Sequence, residues 1–167
     1  EYAIMSKTYF TINGKESLTP VIQGGMGIGI SFSKLVTAVL KEGGVGTLSA
    51  AQPSFKAEDH ATNNFEANRR VINGEIKKVR KECPEGILGV NLMHAGHRYG
   101  EMCADLAKQD IDFIITGAGL PIDLPEYIKD TKVKGAVIVS SDRAAKILLM
   151  RWDRKYNLLP EFIVVEG

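Results

Sequence analysis

The chain has 167 residues, 44% hydrophobic and 25% charged, with a formal net charge of +1, which suits one globular core and argues against a nucleic-acid surface. Its two cysteines, Cys83 and Cys103, are too few for a disulfide framework and lack metal-ligand spacing, so a reducing cytoplasm and no bound metal are expected. No stretch approaches the ~18 to 20 apolar residues of a membrane span, and the N-terminal residues lack the basic-then-apolar order of a signal peptide.

In chain order, Tyr9, Phe10 and Ile12 lead to Asn13-Gly14, a dipeptide that accepts positive φ at both centres of a type I′ turn. A short hairpin within residues 1–19 is therefore expected to precede the first main strand and cover one end of the core. Residues 20–29 follow, Pro-Val-Ile-Gln-Gly-Gly-Met-Gly-Ile-Gly. An apolar run ending in consecutive glycines predicts a buried strand whose C-terminal end presents bare backbone N–H groups to a cofactor. The glycines fit neither common motif. Counted from Gly25 or Gly27, the third glycine of a dinucleotide fingerprint falls on Ile30 or Phe32. The second strand ends in Thr47, Leu48, Ser49 and Ala50 without a ribose-binding carboxylate, and no Gly-Lys-Ser/Thr follows for a P-loop.

Leu35, Val36, Val39 and Leu40 recur at helical spacing, and Gly43-Gly44 ends that helix before the apolar run 45–50. The polar stretch 52–64 lacks periodicity and exceeds an ordinary βα connection, which reads as a lid or mobile segment with His60 at its surface. A helix from Phe65, carrying Val71, Ile76 and Val79, ends near Pro84-Glu85-Gly86, with the strand 87–93 behind it. Its charged stretch 75–82 reads as a solvated face. Helices over 99–108, 125–129 and 143–156 then alternate with strands 113–119, 136–141 and 162–167. Cys83 at a helix end and Cys103 within a helix read as packing residues.

Six continuous apolar strands alternating with five helices predict an α/β fold with a parallel sheet buried on both faces. Every strand ends in small or polar residues, and parallel βα architecture gathers those ends on one rim: Gly24 to Gly27, Ser49, Asn91, Thr116 with Gly117, Ser140 with Ser141, and Glu166. Ligands bind at this rim in barrels and doubly wound sheets alike. A (β/α)₈ barrel takes about 250 residues, so six strands in a single domain read as the N-terminal three-quarters of one.

Five segments carry a resemblance: PVIQGGMGIGIS at 20–31, EGGVGTLSA at 42–50, LGVNLM at 88–93, DFIITGAGLPIDLPEY at 112–127 and FIVVEG at 162–167. In this order, each at a predicted strand end, they resemble the nitronate monooxygenase family, formerly called 2-nitropropane dioxygenases, whose relatives include FMN-dependent enoyl-ACP reductases. The resemblance implies an FMN-binding TIM barrel. Gly24, Gly25, Met26 and Gly27 would lie against the isoalloxazine ring, and Asn91 would donate its amide to the ribityl or phosphate region. Thr116 and Gly117 stand where relatives have Ser-Gly, and Glu166 where they place Glu or Gln near the cofactor. From the residues alone, Met26 also suits a core gap, Thr116 an ordinary strand position and Glu166 a salt bridge within the rim.

The family's base histidine lies beyond the position matched by Gly167, so no catalytic residue is assigned. His94 and His97, which follow the third strand on the rim, are candidate substrate contacts outside that motif. The implied activity is FMN-dependent oxidation of nitronates by dioxygen to carbonyl compounds and nitrite, with a small-molecule substrate and a homodimer as an allowed assembly. Two rivals stand beside it: an FMN-dependent enoyl-ACP reductase using NAD(P)H, and a non-catalytic fragment whose open sheet edges pair with another chain.

Overall fold

In a computed structural model, which describes residues 7–166, a hairpin of β1 (Thr11–Ile12) and β2 (Lys15–Glu16) leads into a five-stranded parallel sheet. Gly167, the last residue of the FIVVEG segment, lies outside the described residues, as do the first six positions of the 1–19 segment. The hairpin turns where expected, with Asn13 at φ 53° and Gly14 at φ 75°. The sheet comprises β3 (Gly46–Ser49), β4 (Leu88–Met93), β5 (Phe113–Gly117), β6 (Lys134–Val139) and β7 (Ile163–Val165), adjacent in chain order. Before β3 comes α1 (Ser33–Lys41), and the crossovers carry α2 (Asn64–Glu82), α3 (Tyr99–Leu106), α4 (Leu124–Ile128) and α5 (Asp142–Tyr156).

Two features identify an arc of a barrel rather than a doubly wound sheet. The strand order never reverses, and all five helices pack on one face. That helix layer buries Val36, Ile76, Leu106, Leu124, Leu148 and Trp152 against outward-facing Leu48, Val90, Ile114 and Val137. Each fully buried aliphatic side chain there contributes about 1.5–3 kcal/mol relative to exposure. The opposite face has its own helix-free core of Ile12, Val45, Ile87, Phe113, Ile115 and Ala136, the inside of the arc. Ile12 and its neighbour Phe10 belong to it, so the hairpin covers the end of the core as expected.

The N-terminal end of the sheet is fixed by a buried carboxylate. Asp112 accepts hydrogen bonds from Arg80 Nη2 at 2.8 Å and from the Leu88 N–H at 2.9 Å, and its oxygens lie 3.2 Å from Lys15 Nζ. Asp112 and the Arg80 side chain are both buried. Removing one partner of such a pair costs about 3–5 kcal/mol.

Residues 20–29 depart from the expected buried strand. Val21 is 53% exposed, and Ile22 joins the sheet through a single parallel bridge to Val45. The ladder stops because a side chain replaces it. The Thr47 N–H donates to Gln23 Oε1 at 3.1 Å instead of to a backbone carbonyl, and the main chain swings away into the glycine turn.

The 52–64 stretch has no helix or strand of its own before α2 starts at Asn64, but it is tied down. Asn68 Oδ1 accepts from both the N–H (3.1 Å) and the hydroxyl (2.7 Å) of buried Ser54, and His60 Nδ1 lies 2.8 Å from the same hydroxyl. His60 is thus half-buried and anchors the loop. Among the described residues no helix is long and apolar enough to cross a membrane.

Candidate functional site

The glycine turn is shaped by two side chains. Ser31, fully buried, accepts the Met26 N–H at 2.8 Å through Oγ, while Gln23 Nε2 donates to that same oxygen at 2.9 Å. With its Oε1 on β3, Gln23 fastens the turn to the strand beside it. Past the turn, Ile28 is held at φ 53° with its N–H on Ala51 O at 3.1 Å, an unusual conformation for a β-branched residue.

This turn forms one wall of a cavity of about 460 Å³ at the C-terminal ends of the strands. Gly24, Gly25 and Met26 line it from the turn, Asn91 from β4 and Glu166 from just beyond β7, over a floor of Ile22, Ile115, Ile138 and Val164. Five of the eight expected residues therefore converge on one space. Close packing explains one glycine in particular: a Cβ on Gly25 would stand 2.5 Å from Asn91 Cβ. Beside Gly24 a Cβ would meet nothing within 4 Å.

Three expected residues lie elsewhere. Gly27 backs the turn, where an added Cβ would stand 2.9 Å from Ala51 Cβ. Gly117 shares the inner face with Ile115 but abuts Ile138, 3.0 Å from a would-be Cβ, outside the cavity lining. Thr116 corrects the expectation that its hydroxyl joins the cavity. Strand residues alternate faces, so with Ile115 inside, Thr116 turns to the helix layer. There its Oγ1 is buried beside the Tyr99 hydroxyl.

Alternation also identifies a residue that the sequence reading missed. Thr47 lines the cavity, 1% exposed, and its Oγ1 is buried with no partner. An unpaired buried hydroxyl costs about 1–3 kcal/mol. The available signal was parity: Ser49 on the rim puts Thr47, two residues earlier, on the same face. Phe10 reaches the cavity from the hairpin.

The histidines stand apart from the cavity lining. His94 Nε2 lies 3.3 Å from Asp123 Oδ1 and its ring packs edge-on against Tyr99, 4.8 Å between centroids. His97 borders a separate cleft of about 120 Å³ beside Gln52 and Phe65. Below Tyr99, burial pushes the Cys103 thiol up to about 12, so it stays protonated and serves packing.

The chain matches the family described as nitronate monooxygenase over residues 12–167. Among solved structures, FabK from Thermotoga maritima superposes with a TM-score of 0.62 at 20% identity, over 79% of this chain and 37% of that one. Nitroalkane oxidase from Streptomyces ansochromogenes gives a TM-score of 0.63 at 18% identity, over 79% of this chain and 43% of that one. No curated protein matches. The chain thus spans less than half the length of the solved structures it matches, and at these identities the likeness is one of fold, an arc of the (β/α)₈ barrel.

Proposed function

The chain belongs to the nitronate monooxygenase family, a family of flavin-dependent oxidoreductases, and from that premise we propose that its cavity holds FMN and serves the oxidation of nitronates by dioxygen to carbonyl compounds and nitrite. The observation that carries this reading is the convergence of the Gly24–Met26 backbone, Asn91 and Glu166 on one cavity over an apolar floor. The volume falls in the ~300–1,000 Å³ range of small-molecule sites, which combine apolar walls with a few placed polar groups. The residues present fit the group: a planar ring can approach the turn at Gly24, where a Cβ would meet nothing within 4 Å, beside the polar side chains of Asn91 and Glu166.

Within this reading Gly24, Gly25 and Met26 receive one face of the ring, Asn91 offers an amide to its polar groups, and Glu166 stands at the mouth. Ile115, Ile138 and Val164 keep water from the floor. The redox chemistry, taking electrons from the nitronate and passing them to dioxygen, is the cofactor's when bound. No described histidine lines the cavity, so proton removal is assigned to none of them.

The test is titration of the purified protein with FMN, followed by flavin fluorescence, and then dioxygen uptake with a nitronate. Saturable quenching and nitronate-dependent uptake are expected. Flavin binding with NAD(P)H oxidation by an enoyl thioester, and no uptake with nitronate, would instead favour the reductase reading. Absence of flavin binding would remove both.

A further inference from the structure

We infer that Gln23 and Ser31 are positioning residues of this site: acting through the backbone, they turn the Gly24 carbonyl away from the cavity and leave the Gly25 N–H as a fixed donor for an acceptor atom of the bound ring. The inference rests on the flavin reading of the site. It starts from the Gly24 carbonyl, which accepts from Gln23 Nε2 and, at 3.3 Å, from Ser31 Oγ. The peptide that follows is trans, and a planar trans peptide sets its N–H opposite its carbonyl. The Gly25 N–H therefore points away from both side chains. Among the described residues it meets no acceptor, and Gly25, half-buried, lines the cavity beside Asn91.

The two side chains are themselves fully engaged. Gln23 Oε1 accepts the Thr47 N–H at 3.1 Å, and its two amide hydrogens go to Gly24 O and to Ser31 Oγ. Ser31 Oγ donates its one hydrogen to Gly24 O and fills its two lone pairs with Gln23 Nε2 and the Met26 N–H. The Ser31 backbone closes the frame, its N–H on Met26 O at 3.0 Å and its carbonyl on the Ser49 N–H at 3.2 Å. Neither side chain has a donor left for a ligand, so each serves the site through the peptide it holds. Two donors on one carbonyl also oppose the peptide flip that would turn this oxygen to the cavity, where it would repel the carbonyl oxygens of a flavin ring.

Two variants separate this role from plain packing. Gln23→Glu keeps the shape and the acceptor for Thr47 but sets a carboxylate oxygen against the Gly24 carbonyl, whereas Ser31→Ala leaves Gln23 alone on it. Each is compared with wild type by FMN titration, by melting without ligand, and by amide exchange at Gly25 without FMN and at saturating FMN. In wild type, bound FMN should slow Gly25 exchange about tenfold, the effect of one added hydrogen bond. Gln23→Glu should bind FMN about tenfold more weakly and lose the Gly25 protection, with Ser31→Ala between the two. If FMN binds wild type and leaves Gly25 exchange unchanged, the fixed donor does not exist, and the inference falls while the flavin reading stands, however the variants fold. If either variant melts lower yet keeps wild-type affinity and Gly25 protection, that residue is structural only and the inference falls as well. If wild type itself binds no FMN, the flavin reading fails and takes the inference with it.

Discussion

At the scale of single residues, the two glycines that open the turn play opposite parts, and substitution separates them. A methyl on Gly25 drives into Asn91 Cβ at 2.5 Å, an atom fixed to strand backbone, whereas a methyl on Gly24 enters open space. Overpacking of this kind costs about 1–3 kcal/mol. Gly25→Ala should therefore lower the melting temperature by several degrees and displace the Asn91 amide, while Gly24→Ala should melt like wild type. Equal melting of the two variants would mean that the turn yields and that the close contact has no structural weight. Sequence pattern found these glycines because consecutive glycines after an apolar run are rare without a backbone reason. It could not place Thr116, because listing the residues at a strand's end ignores which face each one takes. Applying the two-residue period from Ile115 or Ser49 sends Thr116 to the helices and brings Thr47 inside. The organising roles of Gln23 and Ser31 left no sequence signal, since both depend on a turn geometry that exists only once the chain is folded.

Among elements, the helices were the most legible, because α1, α2 and α5 carry apolar residues at helical spacing and are closed by Gly43, Pro84 and Asn157. The first strand was not legible, since its apolar residues look like a ladder that Gln23 in fact interrupts. How α1 begins was equally hidden. Its N-cap residue, Phe32, makes no side-chain cap. Instead Glu75, buried on α2, accepts the Ser33 N–H at 2.8 Å and pairs with Lys78. Burial pushes the Glu75 carboxyl up, but the hydrogen bonds from Lys78 and Ser33 together outweigh it and leave it below its ordinary value. A carboxyl lowered in the folded state stabilises the fold above its ordinary value, and that contribution is lost as pH falls through the folded value. Glu75→Gln should accordingly melt below wild type at neutral pH, with the gap narrowing once pH drops under about 4.3, the ordinary glutamate value. A gap that stays constant from neutral to acid pH would show that the ionised carboxylate is not what holds α1 to α2.

For the molecule as a whole, the central question is whether the two sides of the arc are open in solution. A closed barrel has no edge strands, so its strands should open together, whereas an open arc should exchange from its sides inward. Here β5 is buried along its whole length between β4 and β6, while β7 pairs with β6 alone among the described residues and Val165 is 77% exposed. On the other side the 20–23 segment is held by one backbone bridge and the Gln23 side chain. Amide hydrogen exchange should therefore be slowest in β4 and β5, faster in β7 and fastest around Val21 and Ile22. Added FMN should slow exchange at Met26, whose N–H is already fixed on Ser31, less than at Gly24 and Gly25, which line the cavity. The informative reversal concerns β7. If it exchanges as slowly as β5, its outer edge is covered in solution by further polypeptide or by a second copy. Dilution separates those cases, because protection conferred by a second copy falls with concentration and protection within one chain does not.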